Sequence, residues 1–238
     1  MNRGIVSGHT DKRYEEDLSR LRRSLVEMGG LVERQIGDAV RSFLGGDRPL
    51  GETTIVRDHE VNHYDVDVDD QCLRLLALHQ PAARDLRFIT TVLKITTDLE
   101  RIGDLAVNVC ERGLEIGGSE RAPALDLLPL ADLARRLLRE SLDAFVHEDV
   151  NLALKVCQDD DEVDAMHRRM VEDALAGLRG GTEAAVEMVA HLFVSKYLER
   201  IGDHATNIAE MVVFLVKGRS IRHVAPPTSI GIDGDRDV

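Results

Sequence analysis

The chain has 238 residues, of which 43% are apolar and 31% charged, a composition typical of a folded globular protein rather than a disordered one. Its formal net charge of −13 argues against nucleic acid as a partner, because such binding needs basic surfaces that displace counterions. Three scattered cysteines, Cys72, Cys110 and Cys157, form no CxxC pair and indicate a reducing, intracellular compartment. We expect no signal peptide, and the apolar run at 211–216 is too short to cross a bilayer, so membrane contact is expected only through a partner.

Helix is predicted nearly throughout the chain, and no segment alternates long enough to predict a strand. Proline and glycine clusters separate the helical stretches. We predict six helices. The third begins just after Pro81 and ends near the GGSERAP segment at 117–123, and the other five lie at about 10–44, 50–78, 125–147, 150–178 and 182–217. The segment 219–238 has two adjacent prolines and no periodicity, and we expect it to be largely disordered.

The sequence LERIGD occurs twice, at 99–104 and 198–203, and an asparagine follows four residues after each aspartate. A second pair of related segments, DHEVNHYD at 58–65 and DDEVDAMH at 160–167, precedes the two copies. The chain therefore contains one three-helix unit twice, which predicts an all-α fold of two pseudo-symmetric three-helix bundles. The expected units are residues 1–118 and 119–218, followed by the tail at 219–238.

Each repeat predicts a polar stripe on its second and third helices, because residues spaced three or four apart share one face of an α-helix. The stripe residues, which are candidate metal ligands, are Asp58, Asn62 and Asp65 with Glu100, Asp104 and Asn108 in the first unit, and Asp160, Asp164 and His167 with Glu199, Asp203 and Asn207 in the second. An antiparallel hairpin of the two helices would bring the stripes of each unit face to face, with Asp65 opposite Glu100, Asp58 opposite Asn108 and His167 opposite Glu199.

Facing carboxylates require neutralisation, because unpaired charge is expensive to desolvate. Oxygen-rich ligand sets suit hard cations such as magnesium, manganese, calcium or iron. The alternative is that Arg101 and Arg200 fold over Asp104 and Asp203, which lie three residues later. Because the pattern occurs in both units, we favour metal.

No catalytic constellation accompanies the stripes, and we predict that the protein is not an enzyme. An ExxH match at Glu60–His63 resembles the ligand unit of di-iron bundles, but Glu60 lies on the opposite helix face from Asp58 and no matching second ExxH occurs. The sequence also lacks P-loop, nucleophile-elbow and HExxH motifs. A carboxylate-bridged metalloenzyme and a metal-free helical scaffold stay as alternatives.

Four features of the sequence resemble the PhoU family: the doubled ERIGDxxxN, MGGLVERQI at 28–36, QCLRLLALHQPAARDLR at 71–87 and VKGRSIRHV at 216–224. The resemblance extends from about residue 9 to 224. It implies two three-helix bundles in a cytoplasmic, often dimeric protein without catalytic activity. It also implies E(D)xxxD motifs, which hold multinuclear iron or other metals in some members and match Glu100–Asp104 and Glu199–Asp203 here.

The same resemblance implies a regulatory role. PhoU-like proteins negatively regulate the phosphate regulon and phosphate uptake, and they link the ATPase subunit of a phosphate ABC transporter to a sensor histidine kinase. We therefore expect a metal-binding cytoplasmic adaptor that forms a homodimer and reaches the membrane only through these partners. The metal would be iron, zinc, manganese or magnesium.

Two substitutions break the symmetry between the units. His167 stands where the first unit has Asp65, and Tyr197 stands where it has Asp98. The two sites therefore need not hold the same metal, and a mixed Asp and His ligand set suits zinc or iron better than magnesium in the second unit.

Overall fold

A computed structural model describes residues 4–116, 125–177 and 182–221 of the chain. Its six helices are α1 (Gly4–Gly45), α2 (Arg48–His79), α3 (Ala83–Ile116), α4 (Leu128–His147), α5 (Val150–Gly177) and α6 (Thr182–Lys217). These ranges contain no strand, which confirms the prediction of an all-α fold. None of the described helices has a segment apolar enough to span a bilayer.

The predicted helix ends agree with the structure to within about three residues, except that α1 begins at Gly4 rather than near residue 10. The start of α4 moves from the predicted 125 to Leu128, where Pro129 occupies the first turn. A proline is well accommodated there because the first amides of a helix have no partner within it. The expectation of disorder at 222–238 falls outside the described residues.

The turns that close the α1–α2 and α4–α5 hairpins share one geometry. In the first turn Gly46 adopts a left-handed φ of 62°, and Asp47 accepts a hydrogen bond from a backbone amide of α2 at 3.0 Å. In the second turn Glu148 adopts a φ of 51°, and Asp149 accepts hydrogen bonds from two backbone amides of α5 at 2.9 and 3.1 Å. Each aspartate caps the helix that follows it. The two caps lie 102 residues apart (149 − 47), so a residue in α1 or α2 has its counterpart 102 positions later.

The two units share one hydrophobic core. Helices α1, α2 and α3 pack against one another, as do α4, α5 and α6, and the two sets meet along α3–α6 and α1–α4. Leu99 and Ile102 of α3 are fully buried, as are their repeat counterparts Leu198 and Ile201 of α6. Burying each such side chain stabilises the fold by about 1.5–3 kcal/mol. Within the described ranges, helices α2 and α5 pack only within their own sets, so the polar stripes of these two helices lie away from the junction of the units.

Candidate functional site

The two ERIGD segments bring the second and third helices of each unit into close contact at a glycine. A Cβ atom on Gly103 would lie 3.1 Å from Asp58 Oδ1 and 3.2 Å from Val61 Cγ1 of α2. A Cβ atom on Gly202 would lie 2.9 Å from Asp160 Oδ1 of α5. A glycine inside a helix costs about 0.5–1 kcal/mol relative to alanine. Here its missing side chain lets an aspartate of the neighbouring helix lie directly against the third helix.

The stripes of the first unit face each other, but in a register shifted from the predicted one. The sequence predicts Asp58 opposite Asn108, whereas Asp58 packs against Gly103, which is more than one helical turn away. The shift follows from the glycine, which offers the closest approach between the helices. Charges of Asp65 and Asp58 both act on Glu100 across the helix pair, so the carboxylates do converge on one side of the hairpin.

Asp58 is buried, and both of its carboxylate oxygens accept hydrogen bonds. Gln35 Nε2 donates to Oδ1 at 2.9 Å, and Asn62 Nδ2 donates to Oδ2 at 3.0 Å. Gln35 comes from α1 and is fully buried, and its Nε2 also lies 3.5 Å from the carbonyl oxygen of Gly103. Sequence reasoning missed Gln35. Its position in the segment 31–36, whose aliphatic residues are all buried, is the one feature of the sequence that indicates a core location for Gln35.

The other acids of the first unit are less buried than Asp58. Burial raises the pKa of Glu100, the charge of Asp104 raises it further, and Arg101 opposes both effects. Burial and the charge of Asp69 raise the pKa of Asp65. Both pKa values are raised because burial and neighbouring carboxylates disfavour the charged form.

Arginines do not neutralise the stripes in the way that the alternative explanation requires. Arg101 Nε lies 3.6 Å from Glu100 Oε2 and does not pair with Asp104. Within the described ranges, Arg200 likewise forms no ion pair with Asp203. These positions therefore give the arginine explanation no support.

The second unit contains more unpaired carboxylate than the first. Burial, and then the charges of Asp203 and Asp164, raise the pKa of Asp160 from 3.8 to about 7. Asp160 Oδ1 is inaccessible to solvent and has no hydrogen-bond partner among the described residues. Glu199 is also buried, and its Oε1 accepts a hydrogen bond from Lys196 Nζ at 2.6 Å, whereas its Oε2 has no partner in the described part of the chain.

Two further side chains complete the surroundings of Asp160. The hydroxyl of Thr206 lies close enough to lower the pKa of Asp160, but the pair falls outside hydrogen-bond geometry. Thr206 Oγ1 and Asp160 Oδ1 therefore both lack a partner among the described residues. Asp203 is exposed overall, yet partial burial of its carboxylate and the charge of Glu199 raise its pKa. The region therefore favours a proton or a cation on its carboxylates.

His167 is placed with one ring nitrogen available. Its Nδ1 lies 3.0 Å from Ser195 Oγ, and the Ser195 hydroxyl itself donates to the carbonyl oxygen of Leu192 at 2.9 Å. Because the serine hydrogen is used in that bond, we assign Nδ1 as the protonated nitrogen, which leaves the Nε2 lone pair free. Burial lowers the pKa of His167, and this favours the neutral imidazole that can bind a metal.

Not every predicted ligand lies with its stripe. Asn207 Nδ2 donates to Asp98 Oδ1 at 3.3 Å, beside the contact between His204 Nδ1 and the same oxygen at 2.8 Å. Asn207 therefore contributes to the α3–α6 junction between the units. Asn108 is half-buried on α3, and Asp164 is exposed on α5.

The second unit has the donor chemistry that a cation requires. In the described ranges, no three His, Cys, Asp or Glu side chains are already grouped as a metal site, so binding would require rotamer changes. The buried oxygens Asp160 Oδ1 and Glu199 Oε2 nevertheless lack partners among the residues that the structure describes, and an unpaired buried carboxylate oxygen is costly. A cation that contacts either oxygen would supply the partner that this oxygen lacks. Carboxylate oxygens with one imidazole fit iron, zinc or manganese.

Two segments of the chain, residues 25–113 and 127–212, match the family model described as the PhoU domain. The chain belongs to the PhoU family. The first matched segment falls within α1–α3 and the second within α4–α6. The PhoU family resemblance expected from the doubled ERIGD motif is thereby confirmed.

Individual PhoU proteins match over most of the chain. A Pseudomonas putida protein named "Phosphate-specific transport system accessory protein PhoU homolog" is 33% identical over 226 residues, which cover 94% of this chain and 88% of that protein. The crystal structure of PhoU from Pseudomonas aeruginosa superposes with a TM-score of 0.81 at 36% identity, covering 87% of this chain and all of that one. The phosphate transport system regulatory protein PhoU from Streptococcus pneumoniae gives a TM-score of 0.80 at 26% identity, covering 87% and 98%. These relatives are named as accessory or regulatory proteins, in agreement with the prediction that the chain is not an enzyme.

Proposed function

We propose that this protein is a cytoplasmic adaptor that represses phosphate uptake and the phosphate regulon when phosphate is plentiful. It would do so by linking the ATPase subunit of a phosphate ABC transporter to a sensor histidine kinase. The observation that carries the proposal is the near-full-length match to proteins named as accessory to the phosphate-specific transport system. The protein would act as a homodimer and would associate with the membrane through these partners.

A helical adaptor acts by presenting rigid surfaces to other proteins. The outward face of α2 has the character of such a surface. Val66 and Leu73 are 61% and 60% exposed, and a spacing of seven residues places them on one side of the helix. We place the partner contact on this face because binding there would remove both apolar side chains from water.

We also propose that the facing stripes bind cations. In the second unit Asp160, Glu199, Asp203 and His167 would hold the ion, and in the first unit Asp58, Asp65, Glu100 and Asp104 would do so. A bound cation supplies positive charge that lets acids from two helices approach without repulsion. It would thereby fix the angle between the paired helices and the shape of the docking surface.

The regulatory proposal is tested by deleting the gene. Phosphate-starvation genes, followed with an alkaline phosphatase reporter, should be expressed in phosphate-rich medium in the deletion strain, and wild-type protein supplied from a plasmid should restore repression. A deletion strain that represses the reporter normally, with no second copy of the gene present, would overturn the proposal.

Cation binding is tested by metal analysis of protein purified without chelator. We expect bound iron, zinc or manganese in the wild-type protein and less of it in the double variant Asp104→Asn, Asp203→Asn, with unchanged helical content by circular dichroism. A wild-type protein that remains metal-free after incubation with these ions and with magnesium would favour the second candidate, a metal-free helical scaffold. The observation that favours this scaffold is that no three candidate ligands are grouped among the described residues.

A further inference from the structure

Corresponding core positions in the two units hold different residues beside the stripe. The shared hairpin geometry makes Leu137 of α4 the counterpart of Gln35 of α1 (137 − 35 = 102). Both side chains are fully buried. The same offset makes Asp160 the counterpart of Asp58 (160 − 58 = 102).

The polar and the apolar residue leave the two aspartates in different states. Asp58 Oδ1 accepts a hydrogen bond from Gln35 at 2.9 Å, whereas Asp160 Oδ1 is buried without a partner in the described residues. The next stripe position adds to the contrast, because Asn62 donates to Asp58 and its counterpart is the acidic residue Asp164. Two amides therefore donate hydrogen bonds to the first aspartate, and further acids surround the second.

We propose that the α4–α6 unit is the tighter cation-binding half of this protein, and that Gln35 is the residue that weakens cation binding in the α1–α3 unit. The proposal rests on the cation binding proposed above and specifies how the two halves differ. A cation in the first unit must compete with the amide that already occupies Asp58 Oδ1. In the second unit the corresponding oxygen accepts no hydrogen bond from the described residues, and a cation would also give Glu199 Oε2 a partner.

Manganese ion alone is the probe, because free Mn²⁺ can be counted directly by electron paramagnetic resonance. Asp203→Asn weakens the second site and leaves the first for measurement, and Asp104→Asn does the reverse. We expect the Asp104→Asn protein to bind Mn²⁺ at least about tenfold more tightly than the Asp203→Asn protein. This factor corresponds to the loss of one hydrogen bond to a charged group, which a cation in the first unit must displace.

Reciprocal core substitutions then test the role of Gln35. Adding Gln35→Leu to the Asp203→Asn protein should tighten Mn²⁺ binding by about tenfold, and adding Leu137→Gln to the Asp104→Asn protein should weaken it by a similar factor. Thr91→Val is the matched control, since Thr91 is a buried polar residue of α3 whose hydroxyl has no partner among the described residues. It should leave both affinities unchanged.

The outcomes separate the inference from the proposed function. If Gln35→Leu weakens binding, Gln35 is itself a ligand and the inference is wrong, as it is if the two single-site proteins bind equally. If the wild-type protein binds no Mn²⁺, iron or zinc, the proposed cation binding fails first. If one core variant does not fold, the other variant and the comparison of the single-site proteins still decide the question.

Discussion

In the first unit two amides satisfy the buried aspartate of α2, whereas in the second unit its counterpart on α5 is surrounded by other acids. The backbones around the two aspartates are nearly the same, since each lies against a helical glycine at 2.9–3.1 Å from the missing Cβ. The hydrogen bonding differs because the amide of Gln35 donates to Asp58, whereas the corresponding position of the second unit holds Leu137, whose side chain has no donor. Duplication of this unit therefore preserves the helix contact and allows the charge of the site to diverge.

The largest expected effect comes from filling the glycine contacts that the units share. Gly103→Val and Gly202→Val should each lower the free energy of unfolding by about 2–3 kcal/mol, because the new side chain would meet Asp58 or Asp160 at sub-van der Waals distance. Urea denaturation followed by circular dichroism measures the change. Gly30→Ala is the control, since its Cβ would meet nothing closer than 3.6 Å. Alanine should there raise the free energy of unfolding by about 0.5–1 kcal/mol. If the valine variants are as stable as the wild type, the close helix approach is not required.

The next effect distinguishes the units by pH. The pKa of Asp160 is 3.8 in its ordinary state and about 7 in the fold, so folding favours the protonated form. In chelator-treated protein, the contribution of Asp160 to the free energy of unfolding should be fully present below about pH 4 and should be lost as the pH rises through 7. We expect a loss of about 2 kcal/mol, which is less than the full pKa shift implies because Asp160 is partly exposed to solvent.

Asp160→Asn provides the comparison for that pH dependence. The asparagine does not titrate, so the decline between pH 4 and 7 should become shallower in chemical denaturation series at several pH values. A wild-type protein whose stability rises over the same interval, with Asp160→Asn unchanged from it, would show that burial of this carboxylate does not control the second unit.

A smaller effect is expected at the junction of the units, where α3 has Asp98 and α6 has Tyr197 at the corresponding position. Asp98→Ala removes the acceptor shared by His204 at 2.8 Å and Asn207 at 3.3 Å. Loss of these contacts should lower the unfolding free energy by about 1–2 kcal/mol. Thermal denaturation of Asp98→Ala and Asp98→Asn measures it, with the asparagine variant recovering part of the loss. Equal stability of all three proteins would contradict a structural role for Asp98.

The smallest effect concerns two cation–ring contacts at the same junction. Arg112 lies 4.7 Å from the ring centre of Phe193, and Lys94 lies 5.8 Å from that of Phe214. A double-mutant cycle of Arg112→Met and Phe193→Leu should give a coupling free energy of about 0.5–1 kcal/mol. The corresponding cycle for Lys94 and Phe214 should give less, because the distance is longer. A larger coupling for the lysine pair would be inconsistent with this geometry.

The sequence by itself determined the helices, the repeat and the facing stripes of this protein. Helical periodicity is local, so the polar faces of 58–65 and 99–108 can be read directly from residue spacing. The short loop between the two helices makes them antiparallel, so the sequence also predicts that Asp65 lies close to Glu100, and the charge of Asp65 does act on Glu100.

Only the tertiary structure decided which side chains donate hydrogen bonds to each carboxylate. Gln35 contacts Asp58 from 23 positions away in the sequence, because α1 packs across both stripe helices. Asn207 has the same spacing as Asn108 from its motif, yet it reaches Asp98 of the other unit. Periodicity gives the face on which a side chain lies, but not which neighbouring helix packs against that face. That choice depends on the packing of all six helices around one core, and it determines which acids stay unpaired.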